Sequence, residues 1–315
     1  MASRSPTAGT LLGLFGSDPA LGTHDRCHSV PEQGAQDRWP RRVRDAPVAS
    51  VGLGVTRTGG GPTVGGVLEP IAADPPPLTR RVIMRQRWTE LAYFHWRYPP
   101  EIVQELLPDG VTVDTFDGDA WVGLIPFVMR DVRVGPLPPV PHLSTFVEIN
   151  VRTYVIDARG RRAVWFWSLD VPRSLIVAVA RSCFSLPYCW SAGARHEQSG
   201  DHHRWTMRRT WPRPRGGSPR ATAHLGYTVG QRIADADVTD LDHFLTARWA
   251  LVTSRRGTVR YGRIHHVRWP LHRMEDAVID QTAIEAAGLP APVGPPHTLC
   301  TPGLDVSVSW LEPVG

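Results

Sequence analysis

The sequence predicts a mainly β fold with a few short helices, an α+β chain whose strands form a curved, antiparallel, barrel-like sheet. Three observations predict it. Apolar residues alternate with polar ones over 120–128, 146–156, 163–169, 259–267 and 304–310, and a period of two puts successive side chains on opposite faces of a strand. Asp117-Gly118, Arg159-Gly160, Ser199-Gly200 and Arg256-Gly257 fall at short connections, where glycine takes a positive φ cheaply and closes a hairpin. Helical spacing is confined to short segments, and no repeat of roughly 20–50 residues is evident. Closing such a sheet hides its edges and leaves an interior for a small ligand.

Taken in order, residues 1–80 hold 12 glycines and 10 prolines but only two aromatics, Phe15 and Trp39, a composition that cannot bury a core. Two readings stay open for 1–82: a disordered extension, or residues ahead of a true start at Met84. A single domain is expected over 83–315. Pro99 and Pro100 open a short helix with Ile102, Val103, Leu106 and Leu107 inward, ended by Pro108 and Gly110. After the strands up to 169, Asp170 has the position of an N-cap, with Pro172 in the first turn and Leu175, Ile176, Val179 and Cys183 on one face. Thr239 and Asp242 have the spacing of a capping box ahead of a stripe of Leu241, Phe244 and Leu245. A last short helix runs from Gln281 until Gly288 and Pro290 stop it.

Composition narrows the chemistry. The net charge is +5, yet there is no lysine, and Asn150 is the sole asparagine. Schiff-base chemistry through lysine is therefore excluded. Because arginine supplies every basic side chain, its abundance is no sign of nucleic acid. Arg208, Arg209, Arg213, Arg215 and Arg220, interrupted by Trp211, Pro212 and Pro214, read as a solvated loop. The apolar stretch 11–15 is broken by Gly13, and no window reaches membrane-spanning length. Cys27, Cys183, Cys189 and Cys300 form no C-x-x-C pair, so a reduced cytoplasmic protein with buried, inert thiols is expected. No G-x-S-x-G elbow occurs, and the glycine runs at 59–61 and 65–66 lack strand and helix context, so no cofactor is implied. His265 and His266 are adjacent on a strand and cannot chelate one ion, and no metal is expected. His202-His203 belongs to a hairpin and is expected to be exposed.

Seven blocks carry a resemblance over about 84–314: W-T-E-L-A-Y-F-H-W from Trp88, D-T-F-D-G-D-A-W-V-G-L-I-P-F from Asp114, F-V-E-I-N-V-R-T-Y-V from Phe146, V-W-F-W-S-L-D from Val164, A-R-S-C-F-S-L-P-Y from Ala180, D-H-F-L-T-A-R-W from Asp242, and H-H-V-R-W-P-L from His265. With them the chain resembles the YqjF-like proteins, a bacterial family of unknown function in the acetoacetate decarboxylase-like superfamily. The resemblance implies the antiparallel β-barrel of that superfamily and a pocket glutamate near Glu148. In the decarboxylases an Asp at a strand end leads to a helix, an arginine, and a proline before the Schiff-base lysine. Asp170, Arg181 and Pro187 match, and the lysine position falls on Tyr188, whose hydroxyl forms no imine. The fold carries over and the reaction does not.

Glu148, Asn150, Arg152 and Tyr154 share one parity between Phe146 and Ile156. Alternation alone leaves two readings, a polar row lining a pocket or a solvated outer face, and the resemblance favours the pocket. There Arg152 is a carboxylate clamp, since its planar fork makes two parallel hydrogen bonds. Glu148 is a general acid or base whose pKa rests on burial against the pull of Arg152. Tyr188 donates to a carbonyl oxygen or is a core aromatic. His266 is a candidate for proton transfer, and Arg181 either touches ligand or serves the last turn of its helix. The expected function is binding of a small carboxylate- or carbonyl-bearing molecule without a cofactor, by an enzyme or by a non-catalytic sensor. A structural or interaction protein is the rival reading.

Overall fold

The computed structural model describes residues 67–78, 80–136, 138–139, 144–183, 185–213 and 219–314. Cys27, the two glycine runs, and Pro214 and Arg215 of the arginine-rich stretch lie outside the described residues, as does the side chain of Cys183. The chain runs along β1 (Val82–Tyr98), turns through α1 (Pro100–Gln104), β2 (Val111–Val113) and β3 (Thr115–Phe116), and returns along β4 (Asp119–Val134). Strands β5 (Phe146–Asp157) and β6 (Arg162–Val171) form the next hairpin, then come α2 (Ser174–Cys183) and β7 (Tyr188–Trp190). An arm of β8 (Arg195–Ser199), β9 (His202–Arg208) and β10 (Thr222–Arg232) precedes α3 (Asp240–Thr246). Strands β11 (Ala250–Arg255), β12 (Thr258–His265), β13 (His272–Gln281), β14 (His297–Ser309) and β15 (Glu312–Pro313) follow.

The strands pair in the order β12, β11, β6, β5, β4, β1, β14, and β14 pairs back onto β12 through Ile264–Val308 and His265–Ser307, which makes a ring. The arm continues from β14 through β13, β10 and β9 to β8. Not every pairing is antiparallel as expected: β6 pairs in parallel with both β7 and β11. Each of these parallel neighbours is reached by a long crossover, the first through α2.

Two residues let the long strands bend. Glu90 and Asp131 hold φ values of 49° and 53°, and the pairing of β1 with β4 shifts register beside each. Such bulges switch the side-chain alternation, so Met84, Gln86 and Trp88 share a face with Leu91 rather than with Glu90. Both faces of the bent sheet are buried. Leu91, Tyr93, Ile125, Phe127, Phe146 and Leu169 belong to one apolar cluster inside the ring. Their alternates Ala92, Phe94, Leu124, Ile149 and Val151 pack with Trp205 and Leu225 of the arm.

The hairpin glycines Gly118, Gly160, Gly200 and Gly257 all take positive φ. Thr239 and Asp242 make the expected reciprocal capping box at the start of α3. The last helical segment shrinks to a 3-10 turn, Glu285–Ala287, ending at Gly288 with φ 99°. Other expectations need correction. Asp170 is no N-cap: α2 begins at Ser174, and Asp170 lies in β6, where the guanidinium of Arg209 binds both its carboxylate oxygens at 2.7 Å. Arg209 is thus buried rather than part of a solvated loop. His203 is buried as well, stacked on Tyr227 with ring centroids 5.0 Å apart and hydrogen-bonded to His196.

Residues ahead of position 82 also touch the strands. Glu69 accepts from the Arg162 backbone N–H at 2.8 Å and pairs with Arg263 at 2.9 Å, while Ala72 O accepts from the Trp249 indole. Asp74 pairs with Arg268, and Arg80 with Glu312. Among the described residues no helix is long and apolar enough to cross a membrane.

Candidate functional site

A cavity of about 360 Å3 lies against the inward face of β5. Glu148, Asn150 and Arg152 line it in a row, flanked by apolar cross-strand partners. Phe127 and Ile125 of β4 stand opposite Glu148 and Asn150, and Leu169 and Phe166 of β6 stand opposite Asn150 and Arg152. The row is therefore an inner wall and not a solvated face. Tyr188 joins it from β7, held beside β6 by pairing of Leu169 with Tyr188. Its hydroxyl donates to Glu148 Oε2 at 3.0 Å, while Asn150 Nδ2 donates to Glu148 Oε1 at 3.4 Å.

Burial dominates the titration of this group. It pushes the Glu148 carboxyl up to about 7, hydrogen bonds from Tyr188 and Asn150 pull the other way, and the nearby charge of Asp170 adds to the rise. Burial likewise holds the Tyr188 phenol well above its ordinary value, with the charge of Glu148 next in effect. Burial is thus opposed by the hydrogen bonds of Tyr188 and Asn150 and not by the expected pull of Arg152. At neutral pH such a carboxyl gains or loses a proton at little cost, as a general acid or base requires.

Arg152 is only 7% exposed. Its Nη2 donates to the Tyr154 hydroxyl at 3.2 Å and to Leu245 O at 3.3 Å, and the guanidinium lies over the Tyr93 ring, 5.5 Å from its centroid. None of these partners is an anion. Among the described residues Arg152 Nε and Asn150 Oδ1 have no hydrogen-bond partner, which leaves an orphan donor and an orphan acceptor, both closed to solvent, on cavity-lining residues. Buried polar atoms without partners are uncommon and call for a reason.

Three candidates fall elsewhere. Tyr154 does not line the cavity: its hydroxyl donates to Leu245 O at 2.6 Å, and its ring packs on Phe244, so α3 covers that stretch of β5. With Arg152 it satisfies a last-turn carbonyl of α3 that the helix itself leaves open. Since the Tyr154 hydrogen points at Leu245, His95 Nε2–H donates to the same oxygen at 2.6 Å. Arg181 lies at the surface with its guanidinium over Trp211, and its Nη1 donates to the backbone oxygen of Tyr188 at 2.7 Å. It supports β7 rather than touching the cavity. His266 lies beyond the end of β12, between Trp249 and Trp269, and its Nδ1 donates to Val267 O. Burial pushes it down to about 4, so it is neutral and unavailable as an acid at pH 7. Cys189 and Cys300 are buried, and desolvation pushes both thiols up to about 12, as inert thiols require.

Sequence reading missed Gln86, which lines the cavity beside Met84 and Trp88. Their shared parity was a usable signal. It also missed that Leu175, Ile176 and Val179 of α2 face the cavity rather than a closed sheet surface. Among the described residues no cluster of three or more His, Cys, Asp or Glu is placed to hold a metal.

With this geometry in hand, comparison with known proteins is decisive on one point. The DUF2071 family, described as uncharacterized conserved protein, matches residues 85–305. The chain belongs to this family. As a DUF2071 protein it is 33% identical over 214 residues to the uncharacterized protein YqjF of Bacillus subtilis (strain 168), covering 68% of this chain and 85% of YqjF. Solved structures extend the likeness to the fold. The crystal structure of acetoacetate decarboxylase from Legionella pneumophila has a TM-score of 0.51 at 12% identity, covering 73% of this chain and 87% of that one. The enduracididine biosynthesis enzyme MppR, complexed with pyruvate, has a TM-score of 0.52 at 11% identity, covering 76% and 92%. This DUF2071 protein therefore has the acetoacetate decarboxylase-like fold. At such identities the likeness speaks for fold alone.

Proposed function

We propose that the ring of strands works as a ligand-binding barrel whose cavity takes an organic molecule carrying a carboxylate or a carbonyl. Arg152 receives the anion, and Glu148 with Tyr188 handles a proton next to it. The observation that carries this reading is the buried Arg152 guanidinium, which has no anionic partner among the described residues and stands on the same wall as a carboxyl that burial pushes up to about 7. A ligand carboxylate would supply the anion that this guanidinium lacks.

Pyruvate, which MppR holds in its structure, is a carbonyl-bearing carboxylate of the proposed kind. The decarboxylase route through a lysine imine is chemically unavailable to a chain without lysine. What Glu148 and Tyr188 can offer instead is proton transfer at a carbon beside a carbonyl, with no cofactor.

The test is a thermal-shift screen of the purified full-length protein against keto acids, hydroxy acids and aromatic carboxylates, with Arg152→Met alongside. A ligand at about 100 times its Kd stabilises by roughly 2.7 kcal/mol, or about 2–4 °C for a domain of this size. A shift that vanishes in Arg152→Met is the expected result. Carboxylates that stabilise both proteins equally would remove Arg152 from recognition. Turnover of a hit by wild type and not by Glu148→Gln would favour an enzyme, and stabilisation with no product a sensor.

A further inference from the structure

The two ends of the cavity differ in a way that says more about the ligand than the head-group chemistry does. Among the described residues the charged members of its lining are Glu148 and Arg152, and these are 2% and 7% exposed. Beyond the β5 row and Tyr188, the polar lining residues are Gln86, Ser144 and Ser309, and the rest of the wall is almost wholly aliphatic, aromatic or methionine. The solvent-facing end is apolar too. Leu175 and Val179 of α2 and Val134 at the end of β4 line the same cavity, yet they are 56%, 50% and 49% exposed.

A site for a short, strongly hydrated acid has no use for such a wall. Charge at the mouth would steer the anion in, and apolar surface around a small polar molecule would contribute little. An apolar cavity of about 150 Å3 is already enough to take benzene, so this one exceeds the needs of a three-carbon acid severalfold. Large side chains held half-open at a mouth leave apolar area in water, and covering that area is favourable. The arrangement matches an amphipathic molecule, polar at the buried end and apolar along the remainder.

Resting on the carboxylate reading above, we infer that the ligand is a hydrophobic carboxylic acid: a single acid head at Arg152, and an aliphatic or aromatic body running past Phe127, Phe166 and Ile176 to the mouth at Leu175 and Val179. The head enters first and the body trails. In this arrangement β5 supplies orientation, and α2 supplies the surface on which chain length is felt.

The experiment is calorimetric titration of the full-length protein with acetate, butyrate, hexanoate, octanoate and decanoate, and with octan-1-ol as the headless control. Each added methylene is expected to tighten Kd about fourfold, the equivalent of ~0.8 kcal/mol, until the body reaches the mouth. Val179→Gln, a neutral polar change at a half-exposed helix position, is expected to weaken decanoate about fivefold while leaving butyrate unchanged. Arg152→Met is expected to weaken every acid. Tight binding of the short acids with no gain from hexanoate onward would overturn the inference while leaving the carboxylate reading standing. Octan-1-ol binding as tightly as octanoate would overturn the carboxylate reading itself. No binding at any length would overturn both.

Discussion

Asp170 and Arg209 meet as a fork on a fork: Nε binds Oδ1 and Nη2 binds Oδ2, each at 2.7 Å, with the carboxylate fully buried. The pair fastens the chain after β9 to β6, and Asp170 also accepts from Ser191 Oγ at 2.8 Å, just past β7. It stands behind the wall that carries Tyr188. Removing one partner strands the other charge in low dielectric, so Asp170→Ala is expected to lose about 3–5 kcal/mol in urea unfolding. The double variant with Arg209→Ala should lose clearly less than the two single losses added together. Additive losses would mean that the pair is not coupled.

Glu148 makes stability depend on pH. A carboxyl whose folded pKa is raised, here from the ordinary 4.5 to about 7, takes up a proton on folding. Its contribution is fully present below pH 4.5 and is lost as pH rises through about 7. Glu148→Gln should therefore gain on wild type between pH 5 and 8 by on the order of 3 kcal/mol, read as the difference between two denaturation series. Taking the difference cancels His266, whose lowered pKa acts with the opposite sign. A flat difference would return Glu148 to an ordinary carboxyl.

Tyr188→Phe tests the same carboxyl from its partner. The hydroxyl favours the ionised form of Glu148, so its loss should drive the carboxyl further up. A hydrogen bond to a charged group is worth roughly 1.5–3 kcal/mol, which corresponds to a rise of roughly one to two pH units. Carbon-detected NMR titration of labelled glutamate reads this directly, and an unmoved midpoint would break the link.

Gly123, paired with Arg152, leaves room for the His95 imidazole on the same face as the row. A Cβ there would lie 2.7 Å from His95 Nε2, the atom that donates to Tyr154. Gly123→Ala is expected to cost about 1–3 kcal/mol through overpacking. Gly226→Ala, whose Cβ would meet nothing nearer than 3.8 Å, should leave the melting temperature almost unchanged.

What was legible in the sequence follows from range. The row Glu148, Asn150, Arg152 lies on one unbroken alternation, and the hairpin glycines act within a few residues, so both were readable. Tyr154 continues the alternation correctly, yet it is covered by Leu245 and Phe244, about ninety positions away, and no local pattern announces that. Asp170 has genuine cap spacing, but its partner Arg209 is 39 residues off and holds it in the strand. The parity argument for His266 fails because β12 ends at His265. Bulges at Glu90 and Asp131 use non-glycine residues at positive φ, which composition does not flag.

Residues 67–80 give a practical lesson in trimming. Glycine and proline content suggests cutting at Met84, but that cut would remove the Glu69 carboxylate shared by Arg162 and Arg263, and the Ala72 carbonyl that accepts from Trp249. The segment has no core of its own and still works as a strap, buckled across strands that are distant in sequence. A protein shortened to Met84 would keep the strands of the ring, with β1 two residues shorter, and lose what cinches its outside.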